Sequence, residues 1–146
     1  MVFKRDVLIY KTIAVGQIVY WYAHAVTKGF TSVPAEVDRV GLGMVAVGYA
    51  MSVYCTKLLG VDGTYFGIEL GYVKAQKHYV QHFPYGVIPH PMIVFQVVAL
   101  LGFHKHDAFR AAWPYLVPAH VCLYTIHMLQ EQFDIHAGRI NKKKVA

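Results

Sequence analysis

Charged residues are scarce in this sequence. Only 15% of its 146 residues are Asp, Glu, Lys or Arg, whereas 56% are hydrophobic and the mean hydropathy is +0.37. A soluble domain carries roughly a quarter charged residues, so this chain cannot easily form a water-facing surface. Its length is sufficient for one domain but not comfortably for two. We therefore expect a single membrane domain comprising residues 1–146.

Cysteines and nucleic-acid signatures are also sparse. The two cysteines, Cys55 and Cys122, are isolated within apolar segments, which excludes a disulfide framework and a cysteine metal motif. We expect both to be small apolar core residues, and we predict no metal site. The net charge of +6 is not arranged as a basic stripe with interleaved aromatic residues. It therefore favours attraction to anionic lipids over binding to nucleic acid.

Four apolar stretches dominate what the chain does contain. Each reaches or approaches the ~17–25 residues that a membrane-spanning helix needs. The sequence predicts an all-α integral membrane four-helix bundle with spans at about 7–26, 38–59, 88–104 and 109–130. In the segment at about 64–83, most aromatic and aliphatic residues fall on one helical arc and two lysines fall opposite. This pattern predicts an amphipathic helix in the membrane interface between the second and third spans.

The basic residues are distributed unequally between the two predicted membrane faces. One face holds nine of them: Lys4, Arg5, Lys57, Lys74, Lys77, Arg139, Lys142, Lys143 and Lys144. The other holds four: Lys28, Arg39, Lys105 and Arg110. The positive-inside rule then predicts that both termini lie on the cytosolic or equivalent inner side. The first apolar segment lacks a small-residue cleavage site and should remain as a helix, which fits an endoplasmic reticulum or mitochondrial membrane protein.

Glycines and prolines mark the expected helix contacts and breaks. The second span carries small residues that would let helices approach closely, namely Gly41, Gly43, Ala46, Gly48 and Ala50. Gly60 and Gly63 should end this helix. Pro114 and Pro118 should kink the fourth span near its start or leave its first turn open.

Two polar features lie at the same predicted face. His90 stands between Pro89 and Pro91 where the third span begins, and prolines suit the first turn of a helix because its N–H groups are unpaired. The remaining N–H groups and the positive helix end predict an anion site. Glu131, at the end of the fourth span, is a candidate partner for a cation. Together they would suit a zwitterionic ligand, although a plain helix start and a solvated carboxylate explain the same residues.

Three blocks of this region resemble the small phospholipid N-methyltransferases, which are related to the isoprenylcysteine carboxyl methyltransferases. The blocks are "GTYFGIELGYV" (63–73), "FPYGVIPHPMIV" (83–94) and "QEQFD" (130–134), and the similarity extends over roughly 41–135. The resemblance implies a four-helix membrane protein that binds S-adenosylmethionine at the cytosolic face. It also implies methylation of phosphatidylethanolamine or its partly methylated forms. The cofactor-binding residues that it implies are Gly63, Tyr65, Gly67, His90, Pro91 and Glu131.

The sequence departs from the family pattern at three positions. The family's His-Pro-Met-Tyr-x-Gly becomes His-Pro-Met-Ile-Val-Phe here, with Ile93 for Tyr and Phe95 for Gly, and Gln130 replaces the first member of an acidic pair. A glycine beside a ligand often permits close approach, and Phe would fill that space. The implied reaction is direct methyl transfer to a neutral lipid amine. His78, His82 and Glu69 are candidate proton acceptors, and no catalytic residue is assigned among them.

Two other functions remain open. The departures are compatible with a catalytically impaired family member that serves as a structural or accessory subunit of a membrane complex, for example a respiratory-chain assembly. Its partners would then be other membrane subunits as well as lipid. A haem site would need two histidines at equal depth on facing helices, and only His24 with His120 suits that requirement. Interhelical hydrogen bonding is the simpler role for these two histidines.

Overall fold

The computed structural model describes residues 2–32, 38–64 and 80–129, which form helices joined by turns. The helices are α1 (Val2–Val26), α2 (Arg39–Thr64), α3 (Pro91–His104), α4 (Asp107–Ala112) and α5 (Leu116–Leu129). The described ranges contain no strand, so the prediction of an all-helical fold is confirmed there. Most of the predicted interfacial helix, 65–79, lies outside the described residues.

Among the described helices, one is long and apolar enough to cross a membrane. This is the 22-residue segment Arg39–Gly60 of α2, which at 1.5 Å per residue is about 33 Å long. The backbone of Gly60 then leaves the helical conformation, with φ 75° and ψ 151°, and a short helical continuation runs to Thr64. The helix break predicted at Gly60 is confirmed, because glycine accepts a positive φ at little cost.

Helices α2 and α3 pack together through glycines. A Cβ atom built on Gly48 would lie 2.6 Å from the Phe95 carbonyl oxygen, and one built on Gly102 would lie 2.6 Å from the Gly41 carbonyl oxygen. The two backbones are therefore in direct contact, as small residues between helices allow. The predicted packing role is confirmed for Gly41 and Gly48. Gly43, which has nothing within 4 Å of its position for a Cβ, does not share it.

The start of α2 and the end of α3 are joined by a charged pair. The Asp38 carboxylate caps α2 by accepting the Gly41 N–H at 2.9 Å, and the Lys105 ammonium lies 3.0 Å from the same carboxylate. The Gly41 N–H and then the Lys105 ammonium hold the pKa of Asp38 below its ordinary value. Since the two helices run antiparallel, this ion pair holds the start of α2 beside the end of α3.

The apolar core lies at this same end of the molecule. Its buried side chains are Leu100, Phe103, Phe109 and Val117. Tyr22 of α1 contacts Phe103 and Phe109 with ring centroids 5.0 and 5.6 Å apart. Because these residues come from α1, α3, α4 and the start of α5, the core holds α1 and the C-terminal helices to the α2–α3 pair.

The predicted fourth span is divided into two helices. α4 ends at Ala112, and Trp113 has a non-helical conformation with φ −134° and ψ 64°. A residue before proline is disfavoured in the helical region, which explains the break before Pro114. Pro118 lies in the first turn of α5, where the lack of an N–H breaks no helical hydrogen bond. The predicted disruption near the start of the fourth span is thus confirmed at Pro114, where it takes the form of a break between α4 and α5.

Candidate functional site

A compact turn precedes α3. The Tyr85 and Gly86 N–H groups donate to the His82 carbonyl oxygen at 2.9 and 3.4 Å, and those of Val87 and Ile88 donate to the Pro84 carbonyl oxygen at 3.1 and 2.8 Å. Gly86 faces the Gln81 carbonyl so closely that a Cβ atom would collide with it. The peptide bond between Phe83 and Pro84 is cis. The close approach of the Gln81 carbonyl means that this turn requires glycine at position 86.

The turn is fastened to α2. The Tyr85 hydroxyl donates to the Cys55 carbonyl oxygen at 3.2 Å, and Pro84, Pro91 and Cys55 are fully buried. A carbonyl oxygen has two lone pairs, so Cys55 accepts this bond in addition to that of its helix. The turn and the start of α3 are thereby held beside Cys55 of α2.

His90 occupies a strained backbone conformation at the start of α3. Its φ of 46° and ψ of 50° lie in the left-handed region, which costs a non-glycine residue about 1–2 kcal/mol. The following Pro91, the first residue of α3, would normally favour an extended residue before it. Such an outlier persists only where its surroundings enforce it, and outliers of this kind cluster at functional sites. The conformation therefore marks His90 as a candidate site residue.

The first turn of α3 has few main-chain donors to offer a ligand. Pro91 has no N–H, and the N–H groups of Ile93 and Val94 both donate to the His90 carbonyl oxygen, at 3.0 and 3.1 Å. The expected anion site assumed that these groups were unpaired. The Val94 bond is the ordinary first hydrogen bond of a helix, but the Ile93 N–H is also paired, so the anion site stays a prediction with one main-chain donor fewer. A ligand at this turn would depend on side chains more than on the helix end.

A row of polar contacts joins α2 to α3 next to the turn. The Gln96 amide donates to the Ser52 hydroxyl at 3.2 Å, and Ser52 is buried. The Thr56 hydroxyl lies 3.4 Å from the Met92 sulfur and also bonds the Ser52 carbonyl oxygen at 3.1 Å. Sequence reasoning missed these residues. The sequence does place two polar side chains, Ser52 and Gln96, inside otherwise apolar segments. Polar side chains in membrane helices usually form hydrogen bonds with a neighbouring helix, and this could have identified them.

Two of the three positions that depart from the family pattern, Ile93 and Phe95, lie on different sides of α3. The Ile93 side chain is buried, so it packs within the protein. Met92 and Gln96 define the line of α3 that faces α2. At 100° per residue, Phe95 is about 60–100° away from that line, on the flank of the helix, and its carbonyl oxygen lies against Gly48.

The other predicted site residues are only partly described. Gly63 lies in the helical continuation after the Gly60 bend, whereas Tyr65, Gly67 and Glu131 lie outside the described residues. The departing position Gln130 and the proton-acceptor candidates Glu69 and His78 also lie outside them. Of the predicted cofactor-binding residues, the structure thus describes Gly63, His90 and Pro91, the last two being neighbours in the sequence.

The two histidines of the haem hypothesis have other neighbours. The His24 ring lies 5.6 Å from the Phe30 ring, measured between centroids. The His120 Nδ1–H donates to the Leu116 carbonyl oxygen at 2.7 Å, a bond within α5 and not the interhelical bond that was expected. Within residues 2–32, 38–64 and 80–129, no three His, Cys, Asp or Glu residues come together as metal ligands.

The comparisons with known proteins concern the region that contains this site. No curated protein and no solved structure matches the chain. A family model described as phospholipid methyltransferase matches residues 37–133, a region that begins just before α2 and includes the His90 turn, α3, α4 and α5. Since this is well over half of the sequence, the chain belongs to the phospholipid methyltransferase family.

Proposed function

We propose that the protein is a membrane-embedded methyltransferase that transfers a methyl group from S-adenosylmethionine to a phospholipid amine. The substrate would be phosphatidylethanolamine or one of its partly methylated forms. The observation that carries this proposal is the family match over 37–133, which includes a strained His90 held in a defined turn.

Membrane insertion is supported by the surfaces of the helices. Large apolar side chains are exposed on α1, α2 and α5, including Ile13, Val47, Val53 and Leu123. In water these side chains would lose the stabilisation that comes from burial, whereas lipid tails accommodate them. We propose that α2 crosses the bilayer, that α1, α3 and the α4–α5 unit complete a four-helix membrane domain, and that both termini lie on the inner side of an endoplasmic reticulum or mitochondrial membrane.

The depth of the His90 turn suits a lipid headgroup. The Tyr85–Cys55 and Thr56–Met92 contacts place the start of α3 beside residues 55–56 of α2. The end of the apolar segment of α2, at Gly60, is four residues further, or about 6 Å. If Arg39–Gly60 spans the ~30 Å hydrocarbon core, the turn lies just inside that surface. A lipid amine could reach this level without the lipid leaving the bilayer.

The residues at the turn fit a polar cofactor. His90 supplies an imidazole on a backbone whose position is enforced by buried Pro91 and by the Tyr85 hydrogen bond. S-adenosylmethionine, when bound, supplies the electrophilic methyl group. We propose that His90 and Pro91 hold it together with Gly63, Tyr65 and Gly67, and that the Glu131 carboxylate attracts its positive charge. A turn fastened in this way limits the motion of the groups that it holds, which favours reaction by orientation.

Removal of a proton from the lipid amine is the other task for the chain. An ammonium group has no lone pair with which to attack, so a nearby base has to accept its proton. His82 lies exposed in the same turn as Tyr85, and we propose it as one acceptor beside His78 and Glu69.

A catalytically impaired accessory subunit is the second candidate function, and two observations favour it. Buried Ile93 presents no hydroxyl to a ligand at the position where the family has Tyr. Phe95 adds a large side chain directly after the polar start of α3 where the family has Gly. Such a protein would keep the fold and contact other membrane subunits without binding the cofactor.

Equilibrium binding of S-adenosylmethionine to the full chain in phospholipid nanodiscs separates the two functions. A hydrogen bond to a charged group contributes about 1.5–3 kcal/mol, so His90→Ala should weaken binding about tenfold or more. His104→Ala is the matched control, because this histidine lies at the opposite end of α3, about 21 Å away. Binding that also depends on Glu131, together with methyl transfer to phosphatidylethanolamine, would support the enzyme. Binding that appears only in Phe95→Gly would support the accessory subunit.

A further inference from the structure

We propose that Tyr20, Trp21, Phe30 and Trp113, which we call the aromatic anchor, hold the protein in the headgroup and carbonyl region of the bilayer at the face opposite the His90 turn. This role is separate from methyl transfer. It proposes that a surface with no part in the proposed reaction contacts the lipid interface.

The aromatic anchor is assembled from three separate segments. Trp21 near the end of α1 contacts Trp113 of the α4–α5 break, with ring centroids 5.2 Å apart. Tyr20 contacts Trp21 at 5.2 Å and Phe30 at 5.6 Å. The four residues are nevertheless 51%, 39%, 57% and 38% exposed in the order Tyr20, Trp21, Phe30 and Trp113. They pack against each other and also form an outer surface.

The turn after α1 is built to present Phe30. Lys28, Gly29 and Phe30 all have positive φ, at 50°, 75° and 67°, whereas a helix commonly ends with one such residue. The Thr27 hydroxyl accepts the Phe30 N–H at 2.9 Å and donates to the Ala23 carbonyl oxygen at 2.7 Å. Two non-glycine residues in this region cost about 1–2 kcal/mol each. This backbone conformation directs the Phe30 ring back toward the Tyr20 ring at the surface of the protein.

The anchor lies level with the start of the membrane-spanning segment of α2. Tyr22, next to Trp21, contacts His106 with ring centroids 5.7 Å apart, and His106 follows Lys105, which pairs with Asp38 at the start of α2. A 22-residue helix is about 33 Å long and matches the hydrocarbon core, so its ends lie at the two interfaces. The anchor is therefore at one of these interfaces.

The chemistry of the anchor matches that level of the bilayer. Trp and Tyr concentrate at membrane interfaces because their rings are apolar but carry a polar group. Lys28 is exposed directly beside the Phe30 turn, where its ammonium suits lipid phosphate. A packed cluster of rings with 5.2 Å contacts leaves no room for a small ligand between them, so the surface suits a lipid layer and not a molecule held inside the cluster.

Tryptophan fluorescence tests this proposal directly, because Trp21 and Trp113 are the two tryptophans of the protein. The full chain would be reconstituted in phosphatidylcholine vesicles that carry a spin label at the headgroup, near the carbonyl groups or at the middle of the acyl chain. We expect the strongest quenching from the carbonyl-level probe, with little quenching by aqueous iodide. Strongest quenching at the middle of the chain would overturn the proposal. So would quenching by iodide alone, or protection from all probes by a second copy of the protein.

Two sets of variants sharpen the test. Trp21→Phe and Trp113→Phe leave one tryptophan each, and the two proteins should report the same depth because the rings are in contact; clearly different depths would refute the anchor. Phe30→Gly removes the ring but suits the positive φ, so its helical circular dichroism should be retained. We expect this variant to shift tryptophan quenching toward iodide, and an unchanged profile would exclude Phe30 from the anchor. None of these readouts depends on S-adenosylmethionine.

Discussion

Replacing Gly48 by alanine should push α2 and α3 apart and destabilise their packing. The contacts around Gly48 show why one added methyl group is enough. The added Cβ would lie 2.6 Å from the Phe95 carbonyl oxygen, 2.7 Å from the Ala99 nitrogen and 2.8 Å from the Ala99 Cβ. Two of these atoms belong to the backbone of α3 and cannot move away as a flexible side chain would. The helices have to part by several tenths of an ångström along this stretch.

The expected magnitude follows from two opposing terms. Overpacking of a well-packed contact costs about 1–3 kcal/mol, whereas Gly→Ala in a helix gains about 0.5–1 kcal/mol in propensity. Gly43→Ala on the same helix is the matched control, since nothing lies within 4 Å of its added Cβ. Gly43→Ala should therefore gain the helix propensity without the cost of overpacking. The free energies of unfolding of the two variants should therefore differ by about 1–3 kcal/mol.

Thiol labelling offers the assay. Cys55 is fully buried on α2 one turn beyond Ser52, so in a Cys122→Ala background its reaction with a maleimide dye reports thermal unfolding in detergent. Gly48→Ala should react at lower temperature than Gly43→Ala. It should also lose the Gln96–Ser52 hydrogen bond, one turn from the added methyl. Equal stability of the two variants would refute direct backbone contact between α2 and α3.

Four further predictions follow from single contacts. Gly86→Ala should open the turn before α3 because its Cβ meets the Gln81 carbonyl; the unfolding temperature and cofactor binding should both fall, whereas Gly16→Ala, with open space around it in α1, should lower neither. His90→Gly should keep or raise stability by about 1 kcal/mol, since it removes left-handed strain, while cofactor binding falls; a loss of stability would contradict the strain. A double-mutant cycle of Ser52→Ala and Gln96→Leu should give a coupling of about 0.6–1.7 kcal/mol in the stabilising direction, and zero coupling would remove the interhelical bond. The pKa of Asp38 is lowered by the Gly41 N–H and then by Lys105, so its contribution to stability is present above the ordinary pKa and is lost as the pH falls through the lowered one; Asp38→Asn should show a smaller loss of stability in acid, measured by thermal unfolding followed by helical circular dichroism.

The helices and their breaks could be predicted from local chemistry. Gly60 accepts a positive φ and Pro114 restricts the residue before it, so the break at each position has a local cause. The division of 109–130 into α4 and α5 was less accessible. Either a kink or a break satisfies the same prolines, and the packing of Phe109 and Val117 into one core decides between them.

At the site, the residues could be named but not their geometry. His90 and Pro91 stand out as a motif, yet nothing local predicts a left-handed His90 whose carbonyl accepts the N–H groups of Ile93 and Val94. The turn that precedes His90 is fastened to α2 through Tyr85. Tyr85 and Cys55 are far apart in the chain, so a sequence pattern does not pair them.

The sequence by itself determined that this chain forms apolar helices with too little charge to cover them, because composition and periodicity act along the chain. Only the tertiary structure decided which face of each helix is covered. Gly41, Gly43 and Gly48 are the same residue type on one helix, but α3 covers the face of Gly41 and Gly48 and leaves Gly43 open. Trp21 and Trp113 likewise meet only because α1 packs beside the α4–α5 break. Contacts between distant segments depend on how whole helices fit together, and no single segment carries that information.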